Sequence, residues 1–219
     1  MKTLIKNGTV VTAGDTFKAD VLIENEKVSL IGANLQADGA EVIDASGLFL
    51  MPGGVDAHTH LDMPFGGTTT ADDFYTGQRA AAFGGTTTHV DFALQQKGET
   101  LLDGVKMWQK KADGNAVIDY SFHIAVTDPG EAVVKEIEKL PAAGITTLKV
   151  FQQYKGLFMV DDTTLYQVME AAKKAGVLTM IHCENGDVTD IVTKELIAAG
   201  KTGVEYHLEA HPREIEAEA

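Results

Sequence analysis

Two histidines spaced two residues apart, His58 and His60, close an apolar run that starts at Leu48 and passes through Met51 and Val55. In an extended strand, residues i and i+2 point to the same face, so both imidazoles aim at one point. Two convergent neutral imidazoles are the beginning of a transition-metal site. Taken alone, the pair reads equally well as a satisfied polar pair on a loop. Two later residues shift that balance. Lys149 lies in Thr147-Leu148-Lys149-Val150-Phe151, and His182 ends the apolar stretch before Cys183-Glu184-Asn185.

Alternation sets Lys149 opposite Leu148 and Val150. A lysine aimed into a strand-lined interior is costly unless it is paired or altered. An ion pair with Asp or Glu is the simpler reading from spacing alone. The other is carbamylation by CO2, which turns a metal-repelling cation into an anion with two oxygens. Such a group can bridge two metal ions.

The elements that must position these residues fall into two kinds. Residues 1–52 read as short β-branched strands: 3–6, 9–12, 20–23, 27–31 and 41–43. Turn signals stand at Asn7-Gly8 and Asn25-Glu26. From residue 53 to 219, apolar strands alternate with amphipathic helices. The strands are expected at 55–60, 86–92, 118–126, 145–151 and 177–182. Helices are expected near 71–83, 100–112, 130–140, 164–175 and 188–199. Thr164-x-x-Gln167 resembles a capping box, and Gly176 is a stop signal. Units of about thirty residues are βαβ units, which build a parallel sheet, open or closed into a barrel. Active sites in such barrels sit at the C-terminal ends of the strands, where His58, His60, Lys149 and His182 are expected. Five units are visible, whereas a closed (β/α)8 barrel needs eight. Residues 203–219 read as a linker and the first turns of another helix.

The net charge is −14, from 18 basic and 32 acidic residues. A nucleic-acid partner is not expected, because such binding runs on basic patches. The single cysteine, Cys183, excludes an intrachain disulfide framework and suits a reducing cytoplasm. The amino terminus turns polar too early for a signal peptide, and no apolar run approaches the ~20 residues of a membrane span.

Three segments carry a family resemblance: Gly54-Val-Asp-Ala-His58-Thr-His60-Leu61, Leu148-Lys149-Val-Phe-Gln-Gln-Tyr154-Lys-Gly156 and His182-Cys-Glu-Asn-Gly-Asp187. Together they resemble the D-hydantoinases and dihydropyrimidinases of the amidohydrolase superfamily, over the whole chain. The resemblance implies a β-sandwich, here its N-terminal part in 1–52, beside a distorted (β/α)8 barrel. It implies two divalent ions, zinc first, bridged by a carbamylated lysine and a hydroxide. His58 and His60 would hold one ion, Lys149 would bridge, and His182 would hold the other. Tyr154 would hydrogen-bond the substrate carbonyl. Met63, Phe65 and Phe158 would shape a pocket, although ordinary loop packing explains them as well. The substrate implied is a small cyclic amide, opened to an N-carbamoyl amino acid by a homotetramer or dimer.

Dihydroorotases of this superfamily carry Arg where Asp62 stands, so a neutral ring is expected. Allantoinase is the enzymatic alternative. A non-catalytic interaction module, as among the collapsin-response proteins, is the alternative from another class, but those lack the metal histidines. The family's further histidine after strand six and aspartate after strand eight lie beyond residue 219. The chain as given is therefore expected to behave as an inactive N-terminal half. His89 and Asp91 are expected to be interior polar residues, Cys183 a buried thiol, and His207 and His211 carry no ligand role.

Overall fold

A computed structural model describes residues 1–219. The chain opens with one long strand, β1 (Lys2–Val11), where two strands and a turn were expected. Asn7-Gly8 does not reverse the chain. It makes a bulge, with the β1–β2 register jumping between Ile5 and Gly8 and Asn7 at a φ of +63°. A left-handed Asn followed by Gly absorbs an extra residue without ending the strand. The Asn7 amide donates to Asp20 Oδ1 at 2.8 Å, which fixes the bulge. Asn25-Glu26 is a true hairpin turn. Both residues take positive φ, as a two-residue turn between right-twisted strands requires. It joins β2 (Thr16–Glu24) to β3 (Lys27–Gly32). Strands β4 (Glu41–Asp44) and β5 (Phe49–Leu50) run parallel to β1, giving one sheet over a small core of Val10, Ala19 and Val21.

Residues Met1–Gly54 and Val55–Ala219 form separate compact units. The second is built on β6 (Gly54–Thr59), β9 (Thr86–Leu94), β10 (Asp119–Ala125), β11 (Thr147–Phe151) and β12 (Leu178–His182). These strands lie in the order β12-β11-β10-β9-β6, a curled, all-parallel partial barrel. A small hairpin of β7 (Pro64–Phe65) and β8 (Thr68–Thr69) follows β6.

Helices fill the connections. Helix α1 (Phe74–Phe83) starts three residues later than expected, because Asp73 and Thr76 cap it reciprocally. Helix α2 (Leu101–Ala112) buries Leu101, Val105, Trp108 and Ala112 at helical spacing against β9 and β10. Its Gly104 is needed for that contact: a Cβ there would meet Leu94 O at 2.9 Å and Gln95 Cα at 3.2 Å. Helix α3 (Glu131–Glu136) tightens into 3-10 turns over Ile137–Lys139 and Pro141–Ala143, where one helix over 130–140 was expected. Pro141 cannot continue an α-helix. Helix α4 (Asp162–Ala175) begins earlier than its Thr164 pattern suggests. Asp161 is the cap and accepts from the Thr164 amide at 2.8 Å, while Gly176 ends the helix as expected. Helix α5 (Gly186–Ala198) is capped by Asn185.

Residues 203–219 are not a free linker. Short helices α6 (His207–Ala210) and α7 (Arg213–Glu218) bury Ala210 and Ile215, and the Asn185 amide donates to the Ile215 carbonyl at 3.2 Å. No helix is long and apolar enough to cross a membrane.

Candidate metal centre

Strand β6 carries His58, and His60 follows directly after its last residue, so the two side chains emerge close together. Their ring centres are 5.1 Å apart and nearly perpendicular. Both rings stand on Phe92 of β9, at 4.5 and 4.9 Å. The backbone around them is held from both sides. On one side, His123 Nε2 meets the Ala57 carbonyl at 2.9 Å. A carbonyl only accepts, so this nitrogen carries the proton and Nδ1 accepts from the Thr147 hydroxyl. On the other, Asp91 Oδ2 accepts from Thr59 Oγ1 at 2.7 Å and from the Leu61 amide at 2.9 Å. His58 and His60 retain solvent access along the β6 edge. Burial nevertheless lowers the pKa of each, helped at His58 by the charge of Lys149 and at His60 by that of His58. Neutral imidazole is the form that binds metals.

Lys149 is 8% exposed, on β11 between fully buried Leu148 and Val150. The ion pair that was the simpler reading of this residue is not formed. Its Nζ lies 5.7 Å from the Phe92 ring centre and 5.5 Å from that of Phe151, and no carboxylate contributes to its environment. Burial lowers its pKa.

His182 ends β12, with Nε2 2.9 Å from Glu184 Oε2. The other oxygen of Glu184 lies 3.2 Å from His211 Nδ1, and Gln153 Nε2 is 3.0 Å from that same nitrogen. Burial raises the Glu184 pKa, but the hydrogen bonds to His182 and His211 outweigh it and the net shift is downward. Cys183 is only partly buried, not the enclosed thiol expected, with its Sγ 3.8 Å from the Ile181 carbonyl oxygen.

Tyr154 follows β11 in a left-handed turn, φ +64°, a conformation that costs a bulky residue energy and persists only where its surroundings impose it. Its carbonyl accepts from the amides of Leu157 and Phe158, which closes the turn. The ring centre lies 5.3 Å from that of His182 and 5.6 Å from that of Phe65. Burial raises the phenol pKa, with the Glu184 charge adding to it, so the hydroxyl keeps its proton.

These side chains line one cavity of about 280 Å³. His58, His60, Lys149 and His182 supply its polar wall, while Met63, Phe65, Phe92, Phe151 and Phe158 supply an apolar one around Tyr154. A wider groove of about 750 Å³ along the β7–β8 hairpin shares Phe65, Leu94 and Phe158 but holds none of the four polar residues. Asp62 does not line the cavity. It faces Lys111, whose Nζ is 3.7 Å from its Oδ2 and 2.5 Å from its carbonyl oxygen.

No three of the His, Cys, Asp and Glu side chains converge on a single point. The donors are a histidine pair, a separate histidine and a buried lysine, a set that suits two ions only if the lysine becomes anionic. Asp91, His89, Gln78 and Trp108, behind the histidine pair, and His211, beside His182, lie outside the three motifs, whereas Gln153 and Glu184 lie inside them with no role assigned from sequence. The period-two placement of His89 and Asp91 on one face of β9 was their only signal.

The curled parallel sheet carries histidines where β6 and β12 end and a buried lysine within β11, an architecture of the amidohydrolase type. Residues 49–218 match the Amidohydrolase family, and the chain belongs to it. It is 53% identical to a D-hydantoinase of Geobacillus stearothermophilus, over 100% of this chain and 47% of that protein. It is 46% identical to a D-hydantoinase of Streptomyces coelicolor, over 100% of this chain and 48% of that one. The crystal structure of dihydropyrimidinase from Brevibacillus agri NCHU1002 superposes with a TM-score of 0.97 at 55% identity, covering 100% of this chain and 48% of that one. The chain thus spans about half the length of the relatives it matches.

Proposed function

We propose that the whole protein is a metal-dependent cyclic amidohydrolase that opens hydantoin or dihydropyrimidine rings to N-carbamoyl amino acids. The names of its relatives support the substrate class. The observation that carries the reading is Lys149, buried and without a carboxylate partner, on the wall that also presents His58, His60 and His182. A bare buried ammonium is costly, and beside a metal site it is doubly unfavourable. Attack of its neutral amine on CO2 forms an N–C bond and releases a proton. The product is a carbamate with two oxygens.

In this reading His58 and His60 would hold one ion and His182 the other, and Lys149, once carbamylated, would supply an anionic ligand to both. Two divalent ions, zinc first for imidazole and carboxylate-like donors, would acidify a water and polarise the scissile carbonyl. The residues do the rest. Tyr154 keeps its proton and donates a hydrogen bond to the carbonyl oxygen as charge develops there. Phe65, Phe151 and Phe158 pack the ring and its substituent and exclude water. Residues 1–52 form part of a β-sandwich, a role supported by apolar side chains left exposed on their sheet, such as Val28, Leu30 and Val42. A cytoplasmic homo-oligomer without nucleic-acid partners fits the lone cysteine and the acidic balance.

The test is to strip the whole protein with a chelator, restore zinc, and compare substrates. Hydantoins with apolar 5-substituents and dihydropyrimidines should be hydrolysed, and dihydroorotate far less efficiently. A higher kcat/KM for dihydroorotate would reverse the substrate assignment. Undiminished activity after metal removal would overturn the metal mechanism.

A further inference from the structure

Behind the histidine pair runs a buried chain of hydrogen bonds whose direction is fully determined. Gln78 Oε1 accepts from the amides of Val117 and Ile118, at 2.5 and 3.0 Å. Its Nε2 therefore faces His89 Nε2, 2.7 Å away, and must donate to it. The proton of neutral His89 then sits on Nδ1, which donates to Thr59 Oγ1 at 2.7 Å. The Thr59 hydroxyl in turn donates to Asp91 Oδ2 at 2.7 Å. The Leu61 amide also donates to Oδ2, and Trp108 Nε1 donates to Oδ1 at 3.1 Å. Every partner of Asp91 offers it a proton, which is the environment of a carboxylate. Asp91 and Trp108 are 0% exposed, Gln78 1% and His89 2%.

Asp91 thus grips the residue between His58 and His60 and the residue after His60. We infer that Asp91 is a positioning residue for the metal centre: through Thr59 and Leu61 it fixes the His58–His60 segment, and its charge offsets that of the bound cations. This inference rests on the metal-centre reading above. A dry carboxylate close behind the histidines favours positive charge in front of them far more than an exposed one would. Partners that orient metal ligands in this way typically contribute 10–100-fold to metal affinity.

Asp91→Asn removes the charge and turns an amide NH2 towards either Trp108 or the Thr59 and Leu61 donors. Thr59→Val, a milder change of similar shape, keeps the charge but cuts the link from His89 to Asp91. Thr59→Ser restores the hydroxyl. Zinc dissociation constants, measured on the folded whole protein by chelator competition, should rise roughly 10–100-fold in Asp91→Asn and by a smaller factor in Thr59→Val. Thr59→Ser should return close to wild type. The cobalt-substituted protein should show a changed ligand-field spectrum in the first two variants only. Nitrogen NMR of the wild type should find His89 protonated at Nδ1 and bare at Nε2.

A purely structural role would lower the melting temperature of the variants without moving the zinc affinity or the cobalt spectrum of the folded protein. That result, or a His89 protonated at Nε2, would overturn the inference while leaving the metal centre standing. Failure of the wild type to bind zinc would overturn the metal-centre reading and this inference with it.

Discussion

His182 Nε2 and Glu184 Oε2 lie 2.9 Å apart, so the ring nitrogen left for a metal is Nδ1. A carboxylate on the far nitrogen of a ligating imidazole sets its tautomer and raises its basicity. Glu184 is itself steadied by His211. Glu184→Gln should weaken binding of the ion held by His182 by about 10–100-fold and leave the His58–His60 ion in place. Metal titration that resolves two sites checks this. Equal weakening at both sites would place Glu184 elsewhere in the scheme.

Tyr154 offers a phenol to the cavity from a strained left-handed turn. Tyr154→Phe keeps the ring and its stacking but removes the donor. In the whole protein kcat should fall by about 10²–10³-fold, the usual loss of one oxyanion donor, with a small change in KM. A matching rise in KM with kcat unaltered would make Tyr154 a binding residue only.

Gly104 lets α2 touch β9. An added Cβ would meet the Leu94 carbonyl at 2.9 Å and Ile124 Cδ1 at 3.2 Å, and the backbone atom cannot swing away. Gly104→Ala should destabilise the fold by about 1–3 kcal/mol, despite the better helix propensity of alanine. Urea denaturation reads this directly, and a neutral or stabilising result would contradict the packing described.

His89 and His123 are 2% and 5% exposed, and burial lowers the pKa of each below the ordinary imidazole value. Unfolded, both titrate near ~6.5. Below that pH the unfolded chain binds more protons than the folded one, so stability falls as pH drops. The slope is up to about 1.4 kcal/mol per pH unit for each histidine. Asp91 has the opposite sign: burial raises its pKa, so the folded state takes up its proton first and recovers part of the loss. Urea midpoints of the metal-free protein should therefore fall between about pH 7 and about pH 5.5, and fall less in His89→Gln. A flat profile across that interval would show that these imidazoles are not buried in the neutral form.

The alternation of strand and helix was legible because each βα unit carries its own apolar period, and all five parallel strands lie within two residues of their expected bounds. Boundaries failed where a local competitor won: Asp161 over Thr164 as a cap, and Pro141 over the helical period of α3. Asn7-Gly8 carries the chemistry of a turn, and only pairing with β2 makes it a bulge. The polar wall of the cavity and Tyr154 were legible through the three motifs, whereas Met63, Phe65 and Phe158 lie outside them and Phe92 carried no signal as a cavity residue. The hydrogen-bonded groups behind the cavity were not legible, because Gln78, His89, Asp91 and Trp108 meet through tertiary packing that no spacing encodes. The partner of Asp62 was hidden for the same reason. Its charge is turned to Lys111, 49 positions away.

Lys149 is the residue on which the metal mechanism turns, and isotope labelling tests it most directly. The metal-loaded whole protein, equilibrated with ¹³C-labelled bicarbonate, should show one carbamate carbon resonance. Lys149→Ala should lack that resonance and lose bound metal, and added short carboxylic acids should restore part of the metal. A metal-loaded, active protein without a carbamate signal, its Lys149 present as a bare ammonium, would contradict the central claim.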